Sequence, residues 1–295
     1  MGCYLRAPKE SICICLIVKF IELRITPYDN RDMKKIICLF LILTSNFILV
    51  SSQKNDVIYG DNPQAGHYAP VNGINLYYEI YGKGEPLILL HGNGGSIEAF
   101  KNQIPFFEKY YKVIAIDSRL QGKSDGSADT LSYDMMAADF AGLLDYLHID
   151  SAYVLGWSDG GIDGIIMAMK YPKKVKKLAV SGANIVPDTT AMYKADIENM
   201  KETVRSATSS AKEKTLNNMM IYQPQIRYPD LKKIHCPVLV MAGDRDVIRP
   251  EHTLKIYQSL PSASLCIFPD SYHHVCQQYP ALFNEVVLTF LRKIE

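Results

Sequence analysis

The chain has 295 residues, of which 48% are hydrophobic and 21% charged, with 18 glycines and 15 prolines. That composition is ordinary for a folded protein and excludes collagen-like, low-complexity and disordered chains. Lysine and arginine total 32 against 31 aspartate and glutamate residues, so no strong positive field exists to hold a phosphate backbone, and no nucleic-acid partner is expected.

In chain order, the first feature is Ile36 to Val50, an almost unbroken apolar run preceded by Met33-Lys34-Lys35 and followed by Ser51-Ser52-Gln53. A charged start, an apolar centre and a small polar end describe a secretory signal peptide over 33–52. At about 1.5 Å per residue, a helix of this length falls short of a roughly 30 Å hydrocarbon core. Cleavage near Ser52 and export, periplasmic or secreted, is therefore expected, with anchoring through uncleaved 36–50 as the alternative. With a complete leader beginning at Met33, 1–32 is expected to be an upstream extension outside the working protein. The remainder, 53–295, carries 25 basic and 27 acidic residues and three of the seven cysteines, Cys236, Cys266 and Cys276, whose spacing suits no metal.

A polar stretch runs to about Pro70. Val71 to Tyr81 then reads as two strands around Asn72-Gly73, followed by strand cores at Leu87–Leu90, Val113–Ile116, Tyr153–Leu155, Leu178–Val180, Val238–Met241 and Leu265–Phe268. Their continuous apolarity suits strands covered on both faces. Between them, Met136, Phe140, Leu143, Leu144 and Leu147 form one helical stripe, and Gly161–Lys170, Glu251–Leu260 and Leu282–Arg292 fit further helices. The alternation predicts an α/β protein, a mostly parallel sheet flanked by helices. Residues 188–230 hold no strand-like run but place Tyr193, Ile197, Met200 and Val204 at helical spacing, which reads as a small helical lid insertion.

Gly156-Trp157-Ser158-Asp159-Gly160-Gly161 lies between a strand and a helix, the setting of a nucleophile elbow. An elbow serine needs a base, an acid that orients the base, and donors for an oxyanion. Two carboxylates, Asp244 and Asp246, follow the strand at Val238, and the tandem His273-His274 follows the last strand. Other histidines are less well placed: His148 ends a helix, His235 precedes a strand, His252 sits in a helical stripe and His67 lies upstream of the sheet. Backbone N–H groups of Asp159 and of the loop His91-Gly92-Asn93-Gly94-Gly95 would face the oxyanion. No dinucleotide fingerprint follows a first strand and no metal-ligand cluster is present, so neither cofactor nor metal is expected.

These motifs together resemble those of the α/β-hydrolase-fold serine hydrolases of the lid-bearing type, over about Val71 to Arg292. The resemblance implies oxyanion donors at Asn93 and Asp159, Asp246 as triad acid within Gly243-x-x-Asp246, and His273 as base, counted back from Pro280; His274 is the reserve. Leu120 stands where the family's D-x-R-G-x-G-x-S carries glycine, a departure that bears on loop shape. The elbow also resembles the biphenyl-hydrolase-like esterase subgroup, which implies that Asp159 can face a substrate's amino group.

The expected function is hydrolysis of a small-molecule carboxylic ester or amide through Ser158, His273 and Asp246, with no obligate protein partner. Trp157, Asp159, Tyr193, Met219 and Tyr222 are the expected substrate-binding residues, and Met200 and Met220 share the lid, whose apolar side chains would either line an acyl pocket or only seal the lid onto the domain. Alternatives are a peptidase, lactonase or carbon–carbon bond hydrolase using the same triad, or a non-catalytic receptor for a small ligand. Serine at the elbow argues against dehalogenase and epoxide hydrolase chemistry, whose relatives carry aspartate there.

Overall fold

The apolar runs become strands because the sheet they build is covered on both faces. The computed structural model describes residues 57–127 and 129–293. The expected leader 33–52, the upstream extension 1–32 and the alternative anchor 36–50 lie outside the described residues, and no described helix is long and apolar enough to cross a membrane.

The described residues contain eight strands: β1 (Gly66–Val71), β2 (Ile74–Tyr81), β3 (Pro86–Leu90), β4 (Lys112–Ile116), β5 (Ala152–Trp157), β6 (Val175–Ser181), β7 (Val238–Gly243) and β8 (Ala263–Phe268). They form one sheet in the order β1-β2-β4-β3-β5-β6-β7-β8. Only β2 runs against its neighbours, β1 and β4; every other pair is parallel. Because β1 begins at Gly66, His67 lies inside the sheet rather than upstream of it.

Alternate strand residues feed two cores, the second of which also takes Ile104 and Phe107 from the short helix α1 (Ile104–Phe107). Ile88, Leu90, Val154, Val180 and Val240 face one layer, with α2 (Tyr133–Tyr146) and α3 (Asp159–Lys170) above them. Leu87, Leu89, Leu155, Leu239 and Met241 face the other, packed with Phe283, Val287 and Leu291 of the C-terminal helix at Pro280–Arg292. Each such side chain contributes about 1.5–3 kcal/mol when fully buried. The stripe on α2 behaves as its spacing predicts: Met136, Phe140, Leu143 and Leu144 are buried, and the helix starts where the Ser132 side chain accepts from the Met135 N–H. Leu120 adopts φ 65°, the left-handed conformation that glycine favours, so the loop keeps its turn at the cost of about 1–2 kcal/mol of backbone strain.

Residues between β6 and β7 form α4 (Lys194–Arg205) and α5 (Ala211–Tyr222). The latter opens with a capping box, Ser210 and Glu213 each satisfying the other's backbone N–H. An isolated antiparallel bridge from Met192 to Ile248 ties this segment to the loop after β7.

The parallel register aligns the strand ends. Leu90 lies beside Gly156, Trp157 beside Ser181, and Gly243 beside Phe268, so the loops that follow β3, β5, β6, β7 and β8 gather on one edge of the sheet.

Candidate active site

Ser158 sits between β5 and α3 at φ 56° and ψ −120°, a conformation that non-glycine residues adopt rarely and at a cost of order 1–3 kcal/mol. The surrounding backbone holds it there: its N–H donates to Ser181 O at 2.8 Å, and its carbonyl accepts from Gly161 N at 2.8 Å. The turn is tight enough that its glycines are obligatory. A Cβ on Gly160 would lie 2.0 Å from the carbonyl oxygen of Leu90, and one on Gly156 would lie 2.1 Å from that of Gly160.

The Ser158 hydroxyl lies 2.8 Å from His273 Nε2, and His273 Nδ1 lies 2.7 Å from Asp246 Oδ1. The carboxylate takes the Nδ1–H, which leaves the Nε2 lone pair facing the hydroxyl. Asp246 is 2% exposed and its Oδ1 also accepts from the Ile248 N–H at 2.9 Å. Its neighbour Asp244 acts on the backbone instead. Its carboxylate accepts from the Asp270 and Ser271 N–H groups, both at 3.0 Å, and so shapes the loop that carries the imidazole. Those donors hold the Asp244 carboxyl below the usual range. His274 is exposed and its ring lies tilted 52° against Trp157, with centroids 5.2 Å apart.

One glycine here has no motif around it. Gly182, which follows β6 at φ 64°, would place a Cβ 2.8 Å from both Cε1 and Nδ1 of His273. Its missing side chain is the space that the imidazole occupies.

The loop after β3 closes on Ser158 from the other side, where a Cβ on Gly92 would lie 3.0 Å from Ser158 Cβ. His91 pins this loop: Nδ1–H donates to Gly92 O at 2.7 Å, and Nε2 accepts from the Ser118 N–H at 3.0 Å. Burial pushes the ring down to about 4 and keeps it neutral. Among the described residues, no protein acceptor meets the backbone N–H of Asn93 or Asp159. The Asn93 side chain instead donates to Asp159 Oδ2 at 2.8 Å. Asp159 is 4% exposed; burial lifts its carboxyl to about 6, while donation from Asn93 and Tyr133 opposes the rise.

A cavity of about 260 Å³ opens beside Ser158, lined by Tyr133, Asp159, Met192, Met200 and Met220 among others, with Asp196 and Asn199 from α4. Of the expected substrate-binding residues, Asp159 lines it. Trp157 faces a separate polar depression with Asn93, Lys212 and His274. Tyr193 is exposed beneath the Arg249 guanidinium, 5.2 Å from its ring centroid. Met219 is buried in the core, and Tyr222 is 64% exposed; both border a third depression. The stripe on α4 explains the difference. Ile197 is drawn into a small cluster with Ala191, Met192 and Ile248, which turns Asp196, Asn199 and Met200 toward the cavity. Tyr133 carried no catalytic signature, although Ser132 marks the helix start beside it. Nothing among the described residues groups three or more potential metal ligands.

A family model described as alpha/beta hydrolase fold matches residues 85–219. The chain is 30% identical over 264 residues to 2-hydroxy-6-oxononadienedioate/2-hydroxy-6-oxononatrienedioate hydrolase of Burkholderia vietnamiensis, which covers 75% of this chain and 92% of that protein. It is 28% identical over 251 residues to serine hydrolase BPHL of Homo sapiens, with 75% and 84% covered. Among solved structures, bromoperoxidase from Bacillus anthracis superposes with a TM-score of 0.70 at 23% identity, over 78% of this chain and 100% of that one. The fold, the match across nearly the whole of a relative and the family model agree: this chain belongs to the α/β-hydrolase family and is a hydrolase.

Proposed function

We propose that the chain is a serine hydrolase that cleaves carboxylic ester or amide bonds of small molecules by acyl transfer to Ser158. The observation that carries this reading is the unbroken line of short hydrogen bonds from Ser158 Oγ through His273 to Asp246.

In this mechanism Ser158 Oγ attacks the substrate carbonyl carbon while His273 Nε2 takes the hydroxyl proton. Asp246 stabilises the imidazolium that forms and fixes its orientation. The carbonyl oxygen becomes an oxyanion that the Asn93 and Asp159 N–H groups receive; one such donor is typically worth about 2.7–4 kcal/mol in the transition state. Collapse expels the alcohol or amine, which leaves with the proton from His273. Water then attacks the acyl-enzyme, His273 again takes a proton, and the acid departs as Ser158 is restored.

The segment 188–230 acts as the lid, since α4 and α5 supply Asp196, Asn199, Met200 and Met220 to the cavity wall. Asp159 in that wall favours a substrate with a positive charge near the scissile bond. The same acidity disfavours a dioate like that in the name of the Burkholderia vietnamiensis relative, because no lysine or arginine lines this cavity.

A fluorophosphonate probe tests the reading. A stoichiometric adduct on Ser158, and loss of p-nitrophenyl acetate hydrolysis in Ser158→Ala, are expected. Retained hydrolysis in that variant would remove Ser158 as nucleophile, and a folded wild type that takes no label would favour the non-catalytic receptor.

A further inference from the structure

The cavity beside Ser158 contains two carboxylates from separate elements and no basic side chain of lysine or arginine. Asp159 comes from α3 and Asp196 from α4. On α4 the cavity face is Asp196, Asn199 and Met200, spaced i, i+3 and i+4, so these three side chains share one side of the helix.

A carboxylate in the first turn is favoured on any helix by the backbone dipole. That accounts for the residue type at 196 but not for its place in the cavity wall. On the same helix Glu198 pairs with Lys201 at 2.9 Å and with Arg205 at 3.6 Å. Among the described residues no ion pair and no side-chain hydrogen bond involves Asp196, which is half-buried. Apart from the two carboxylates, the wall includes Met192, Met200, Met220, Val247 and Ile248, which suits a flexible aliphatic chain.

We propose that Asp196 is a specificity-determining residue that selects acyl groups ending in a second positive charge, an ammonium or guanidinium on an aliphatic chain. The chain lies along the methionines, with a first cationic group beside Asp159. This inference rests on the reading of Ser158 as the acylated residue and names the substrate class of that same site. A carboxylate beside low-dielectric walls attracts a complementary charge more strongly than one in open solvent, and unpaired it repels anionic substrates.

The test compares the p-nitrophenyl esters of lysine and norleucine, which share the α-ammonium and differ in the terminal one. In the wild type, kcat/KM is expected to favour the lysyl ester about tenfold. The ratio should fall to about one in Asp196→Asn and invert in Asp196→Lys. A wild-type ratio of one or less, or an unchanged ratio in Asp196→Asn, overturns the proposal. Calorimetry reads it without turnover: 1,5-diaminopentane should bind the wild type about tenfold more tightly than pentylamine and lose that advantage in Asp196→Asn. Equal binding of the two amines to the wild type would refute it. Fluorophosphonate labelling of Ser158 in each variant separates the outcomes, since a labelled protein without diamine preference fails only the Asp196 inference, whereas an unlabelled wild type fails the acyl-transfer reading.

Discussion

The indole Nε1 of Trp157 donates to the backbone carbonyl of His273 at 2.8 Å, so the residue before the elbow serine holds the loop that brings the imidazole to it. Trp157→Phe keeps an aromatic ring in the space and removes the donor. A loss of about 1 kcal/mol of stability is expected in urea unfolding, the usual net worth of one hydrogen bond. Steady-state assays with p-nitrophenyl acetate should show kcat falling several-fold with KM nearly constant. A change confined to KM would contradict this role.

Asp159 makes a pH prediction. Burial sets its carboxyl at about 6, so it is charged above that pH and neutral below. The KM of a cationic acyl ester should rise as pH falls through about 6, while that of an uncharged ester follows only the titration of the reaction centre. Asp159→Asn should remove the difference between the two profiles. For stability the sign is opposite to that of a salt-bridged acid. The native group holds its proton between about 4 and 6 where the unfolded one has lost it, so its contribution declines as pH rises through that window.

At Gly182 the expectation is steric. In Gly182→Ala the new methyl would meet His273 at 2.8 Å, well inside contact distance, and the positive φ adds strain. Hydrolysis should drop at least about a hundredfold, the scale expected when a catalytic group is displaced by about 1 Å. Crystallography or the NMR shift of the imidazole should show the ring moved. Full activity in the alanine variant would mean that the loop yields freely.

His252 illustrates a histidine whose work is structural. It is 1% exposed, its Nε2 accepts from the Ile185 N–H at 3.1 Å, and its Nδ1–H meets Tyr228 Oη at 2.8 Å. His252→Leu should cost about 1–3 kcal/mol at pH 7 by leaving the Ile185 N–H unpaired. Burial pushes the ring down to about 4, below its unfolded value of 6.5. The wild-type contribution is therefore complete above 6.5 and is lost as pH falls toward 4. Unfolding at pH 7 and at pH 5 should show the gap between wild type and variant narrowing.

Much of the architecture could be read from residues because it rests on long patterns. β3 to β7 are covered on both faces, so their apolar runs are continuous, and α2 shows its stripe for the same reason, whereas β8 ends the sheet and buries only Phe268. β1 was harder to place, since only Ala69 and Val71 of its six residues are buried and its start at Gly66 looks polar. Ser158, Asp246 and His273 were legible because each follows a strand whose end the parallel register fixes. The cavity wall was not. An apolar stripe tells which side of a helix is buried but not which cluster buries it, and on α4 Ile197 went to Ile248 while Asp196 faced the cavity. Gly182 leaves room for the His273 ring and Tyr133 lines the cavity as single residues, and single positions leave no periodic trace in a sequence.

The bare α-carbon at the end of β6 also constrains descent. Ser158 follows β5 and Asp246 follows β7, so the ring that joins them must cross the strand between, and residue 182 is the doorway. Under the proposed mechanism, a lineage that places a side chain there must first move the His273 ring elsewhere.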